Sequence, residues 1–107
     1  MLDKINIKDG IITCDNISWL KDNNQAKSNI DFLTEDLLQI SFYKNEYIID
    51  VGWYPSGRVK GSFIILLINN ENWSKPFFKA KTRNINEVYK YIEICIKIID
   101  KKLHLEN

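Results

Sequence analysis

From Leu38 to Trp53, apolar side chains recur at every second residue, interrupted once at Lys44-Asn45. Leu38, Ile40 and Phe42 alternate with Gln39, Ser41 and Tyr43. Tyr47, Ile49, Val51 and Trp53 then point one way, and Ile48, Asp50 and Tyr54 the other. A period of two puts one set of side chains on a buried face, which predicts two strands joined by a turn at Lys44-Asn45. Pro55-Ser56-Gly57 stops the second strand and opens a loop through Arg58 and Lys60. Ser62 to Ile68 is apolar on both faces and reads as the central strand. Asn69 to Asn72 is a polar turn, followed by Trp73. Pro76 restricts pairing, and Phe77, Phe78, Ala80 and Thr82 suggest an edge strand.

The period then changes. Val88, Ile92, Cys95 and Ile99 fall on one helical stripe, which Tyr91, Ile94 and Ile98 broaden. Asn84 is the expected N-cap, and Glu87, three residues on, completes a capping box. The helix is expected to end near Lys101 or Lys102, with His104 to Asn107 frayed. Upstream, Ile5 and Ile7, Asp9-Gly10, then Ile11 and Ile12 give a hairpin signal. Ile17 to Leu20 suggests a short helical turn, and polar Lys21 to Asn29 reads as a loop, with a surface helix as the alternative. Strands followed by one long helix predict an α+β fold. The expected layout is an antiparallel β-sheet meander with the long C-terminal helix packed on one face. No second domain or repeat is visible, so residues 1–107 read as a single domain.

Hydrophobic residues at 45% and charged residues at 27% place the chain among globular proteins rather than disordered ones. Three Trp, five Tyr and five Phe supply enough buried area that no disulfide or metal is needed to hold a core. Cys14 and Cys95 lie far apart without a CxxC partner, and read as reduced, structural thiols. The N-terminus lacks a signal-peptide core, and the longest apolar run, Phe63 to Ile68, is far too short to span a bilayer. A cytoplasmic protein without membrane contact is expected.

No catalytic constellation emerges. The one histidine, His104, sits near the C-terminus, a poor place for acid–base chemistry. Glu35 and Asp36 are adjacent and would face opposite sides of a strand. The glycines follow no phosphate-binding pattern, and one His with two distant Cys does not suit a metal site. An enzyme is therefore not expected, and neither a cofactor nor a metal. Fifteen basic and fourteen acidic residues give a net charge of +1, which argues against a general nucleic-acid binder. Lys75, Lys79, Lys81 and Arg83 nevertheless alternate beside Trp73, Phe77 and Phe78, so a small nucleic-acid-binding module on the Lys75–Arg83 edge is the alternative function. The same alternation better suits cations guarding a sheet edge.

Asp50 sits amid apolar Ile48, Ile49 and Val51. It either pairs structurally, within the sheet or with Arg58 or Lys60, or projects toward a partner. Trp, Tyr and Arg are enriched at interface hot spots. Trp53 is in line with the core residues, whereas Tyr54, Arg58 and Trp73 are expected to be exposed. A strand ending in Asp50-Val51-Gly52-Trp53-Tyr54-Pro55 is followed by a Gly-containing turn and Gly61-Ser62-Phe63-Ile64-Ile65-Leu66-Leu67. Asn72-Trp73 and Pro76 come next. This layout resembles small immunity proteins of contact-dependent growth-inhibition and related polymorphic toxin systems. The similarity covers Tyr47 to Ile98. It implies a cytoplasmic protein that binds and neutralises a cognate toxin C-terminal domain, commonly a nuclease, without catalytic residues of its own. It also implies acidic side chains set against a basic surface, for which charge selects Glu46, Asp50 and Glu71. The expected partner-binding residues are thus Glu46, Asp50, Tyr54, Arg58, Glu71 and Trp73. A homodimer through the last helix or an edge strand is compatible with each of these readings.

Overall fold

The computed structural model describes residues 2–106, with side chains described through residue 102. Five strands form one sheet: β1 (Ile11–Asp15), β2 (Leu38–Phe42), β3 (Tyr47–Tyr54), β4 (Ser62–Asn69) and β5 (Phe78–Thr82). They lie in the order β1-β2-β3-β4-β5, each antiparallel to its neighbour. A short helix, α1 (Asn23–Ser28), lies between β1 and β2, and the long helix α2 (Ile85–Glu106) follows β5. The fold is α+β, with a meander sheet and the C-terminal helix packed on one face.

The alternation in β2 and β3 does what its period requires. Leu38, Ile40, Phe42, Tyr47, Ile49, Val51 and Trp53 are all buried. They meet Phe63, Ile65 and Leu67 of β4, in register across the sheet, and Val88, Ile92, Cys95 and Ile99 of α2 in one cluster. Trp53 packs edge-on against Phe63, with ring centroids 4.8 Å apart. Its indole N–H donates to the Arg58 carbonyl at 2.8 Å, so the polar end of the ring is satisfied inside the fold. Gly61 makes this possible, since a Cβ there would fall 2.2 Å from the indole nitrogen. Leu2, Ile17, Leu20, Ala26, Leu33 and Leu37 complete the core from the N-terminal third. The Tyr89 hydroxyl donates to the carbonyls of Ile17 and Leu20, fastening that segment to α2, and burial pushes the phenol up to about 12.

Several expectations need correction. Ile5 and Ile7 form no hairpin with Ile11 and Ile12. A single 3-10 turn (Leu2–Lys4) precedes them, and β1 pairs with β2, with a bulge at Thr13. The left-handed residue in this region is Lys8 (φ 53), not Gly10. Gly10 serves close approach: a Cβ there would meet the Phe42 ring at 2.7 Å. Because β1 adds to the outer edge of β2, β3 rather than β4 is the central strand. The second face of β4 is only partly covered, with Ile64 and Leu66 half-exposed. Lys21 to Asn29 contains α1, capped by the Asp22 carboxylate on the Gln25 N–H. On α2, Ile94 is exposed, and the buried stripe is completed by Ile85, Tyr89 and Ile96 instead. The helix runs to Glu106 rather than stopping near Lys101. The His104 side chain lies outside the described residues.

Candidate partner-binding face

Helix α2 and the N-terminal third cover one face of the sheet. The strand registers define what stands on the other. One row across it runs Cys14, Gln39, Asp50, Leu66, Lys79. Beside it lie Ser41, Ile48 and Ile68 on one side, and Gly52, Ile64 and Lys81 on the other, with Tyr54 opposite Ser62 beyond. Neighbouring strands are about 4.8 Å apart, so each row is a continuous strip of side chains. Ile48 and Ile68 are buried even on this face, Ile64, Leu66, Asp50 and Tyr54 are half-exposed, and Lys79 and Lys81 are exposed.

Asp50 is the charge at the middle of this face. Among the described residues, its hydrogen-bond donor is Gln39 Nε2 at 3.4 Å, and neither Arg58 nor Lys60 pairs with it. Burial raises the Asp50 carboxyl from its ordinary value. The Gln39 bond opposes the rise, and Asp36 adds to it. The thiol of Cys14 is pushed up by burial and then by Asp36, Asp50 and Asp15. The phenol of Tyr54 is pushed up by burial and then by Asp50, Glu35 and Asp36. These mutual influences place Asp36 and Asp50 in one negative neighbourhood with Tyr54 and Cys14.

Glu35 and Asp36 reach this face through a backbone irregularity. The Leu37 N–H donates to the Val51 carbonyl at 3.1 Å and the Trp53 N–H to the Thr34 carbonyl at 2.8 Å. The chain therefore continues the β2–β3 ladder while Glu35 and Asp36 bulge out of it. Gly52 accommodates the bulge, because a Cβ there would lie 2.4 Å from the Glu35 carbonyl oxygen. Asn16 Nδ2 holds the Asp36 carbonyl at 3.0 Å. The participation of Glu35, Asp36 and Gln39 escaped the sequence reading. A glycine inside a strand, which signals close backbone approach, was the available clue.

The six expected binding residues occupy three places. Asp50 and Tyr54 share the open face. Glu46, Glu71 and Trp73 gather at one end of the sheet, in the β2–β3 and β4–β5 turns, where the Asn70 N–H donates to the Glu46 carbonyl at 2.8 Å. Glu46 and Glu71 are exposed, and Trp73 is 45% exposed. Arg58 is exposed in the β3–β4 loop, at the opposite end of β3, about 25 Å from those turns at strand rise. A partner meeting Asp50 and Tyr54 can extend to either end but is not required to touch both.

The basic edge also divides. Phe78, Ala80 and Thr82 turn to the core face of β5, while Lys79 and Lys81 stand on the open face. Arg83 is drawn away. Its guanidinium donates to the Gly61 carbonyl at 2.8 Å and the Val59 carbonyl at 3.0 Å, and lies over the Trp53 ring. Among the described residues, no group of three or more His, Cys, Asp or Glu is arranged to hold a metal. Among the described residues, no helix is long and apolar enough to cross a membrane. Comparison with known families, curated proteins and solved structures returned no match, so the site is read from its own chemistry.

Proposed function

We propose that this chain is a cytoplasmic protein-binding module that neutralises a cognate toxin domain, as an immunity protein does, through the open sheet face around Asp50. The observation that carries the reading is the Asp50 carboxylate itself. It stands half-buried between Leu66 and Gln39, with burial raising its pKa and, among the described residues, no cation paired with it. Such a group costs the fold stability, and a cation supplied by a partner would offset that cost. Asp36 and Glu35 deepen the negative field, Tyr54 supplies an aromatic with a polar handle, and Ile64 and Leu66 supply apolar contact. A basic surface, of the kind a nuclease presents to its substrate, complements this arrangement.

The nucleic-acid alternative fits less well. Of the four cations that suggested it, Arg83 is turned to the Gly61 and Val59 carbonyls, away from Lys79 and Lys81. Lys79 and Lys81 share their face with Asp50, whose charge repels phosphate.

The test is co-purification with the C-terminal domain encoded directly upstream, followed by an affinity titration and growth rescue. Nanomolar one-to-one binding is expected. Tyr54→Ala and Asp50→Ala should each weaken it by about tenfold or more, roughly 1.4 kcal/mol, while the variants stay folded. Undiminished affinity in both folded variants would move the interface off this face. Absence of binding to that domain would remove the toxin reading.

A further inference from the structure

A second feature lies on the helical side of the molecule, away from the open face. Between α1 and the β3–β4 loop is a cavity of about 300 Å³. Its inner wall is buried Leu33 and Trp53, Ala26 and Ile30 close one side, and Val59, 69% exposed, forms the outer lip. This volume is at the lower end of the range for small-molecule pockets. An apolar cavity of about 150 Å³ accommodates benzene, so this one has room for a ring and a short polar arm.

The charged groups lining it are both cations, Lys27 and Arg83. Among the described residues, no carboxylate lines the cavity and neither cation forms an ion pair. Lys27 is exposed at the mouth. Arg83 is held rigidly: the Gly61 and Val59 carbonyls accept from its two terminal nitrogens, and the indole of Trp53 lies beneath its guanidinium carbon at 5.8 Å. A guanidinium carries five N–H donors, so two such bonds leave capacity for an incoming oxygen pair. Fixing the cation beforehand lowers the ordering cost of binding.

We propose that this cavity binds a small free carboxylate with an aromatic or branched apolar body, the ring against Ile30 and Val59 with Leu33 and Trp53 behind them, and the carboxylate between Lys27 and Arg83. The site is independent of the open face and does not rest on the toxin reading. It is tested with the isotopically labelled full chain by NMR, following the Trp53 indole N–H and the Ala26 and Val59 amides. The probes are 3-phenylpropionate and the uncharged 3-phenyl-1-propanol. Saturable shifts are expected at about 1 mM carboxylate or below, with the alcohol at least about fivefold weaker. Lys27→Glu should weaken the carboxylate about fivefold and leave the alcohol unchanged. No saturable shift by about 10 mM would overturn the proposal. So would equal affinity for the two probes, or a Lys27→Glu chain that binds the carboxylate as before.

Discussion

Asp50 sets a balance between stability and binding that a single substitution exposes. Burial raises its carboxyl pKa in the native state, so folding disfavours the ion relative to the neutral acid. Stability from such a group is fully present below the unfolded carboxylate pKa and is lost as pH rises through the folded one. At neutral pH the ion is therefore held at a cost. Asp50→Asn keeps the Oδ1 acceptor for Gln39 and removes the charge. Its Tm should exceed that of the parent at pH 7, and the two should converge below about pH 4, where the acid is neutral in both states. Equal Tm values at pH 7 would mean that the carboxylate is well solvated and that Asp50 carries no latent demand for a cation. The residue's position on the face opposite Ile49 and Val51 was legible from alternation alone. Its partner was not, because Gln39 lies on another strand and only the register brings it across.

At the scale of elements, the strongly periodic segments were readable and the junctions were not. β2, β3 and the buried stripe of α2 follow from spacing, since each buries one face. The Asp9-Gly10 signal misled because glycine was taken to serve a turn. Gly10 instead yields space to Phe42, and β1 turns to β2 from a distant part of the chain. The start of α2 is similar. The Asn84 side chain accepts from the Asn86 N–H at 2.9 Å, as an N-cap should. Glu87, however, does not reach back to the Asn84 N–H. Thr82 Oγ1 accepts that N–H at 3.1 Å and donates its own proton to the Glu87 carboxylate. Asn23 of α1 adds a tertiary cap, its Oδ1 accepting from the Ile85 N–H at 2.9 Å. The β5–α2 junction thus hangs on Thr82. Thr82→Val, which preserves shape, should cost about 1–2 kcal/mol in urea unfolding and more than Glu87→Ala. The reverse order would restore the reciprocal box to Glu87.

Across the whole molecule, a net charge of +1 conceals a sheet face with two unlike sides. Asp50, with Asp36 and Glu35 in its neighbourhood, lies toward β2 and β3, and Lys79 and Lys81 lie on β5, one strand beyond Leu66 and Ile64. Association rates respond to such local fields more than to the total charge. If the partner surface is basic and centred on Asp50, the two lysines oppose its approach. Lys79→Glu/Lys81→Glu should then raise the association rate several-fold at low salt. The gain should shrink as added salt shortens the screening length to about 10 Å at 0.1 M. Both side chains are exposed on an edge strand, so the fold should tolerate the change. Slower association in the double variant would instead put the lysines in contact with an acidic partner. A binding face that includes the β5 edge would follow, with Asp50 outside the contact. Stopped-flow mixing at two ionic strengths separates these outcomes, because only the first gives a charge effect that salt diminishes in the accelerating direction.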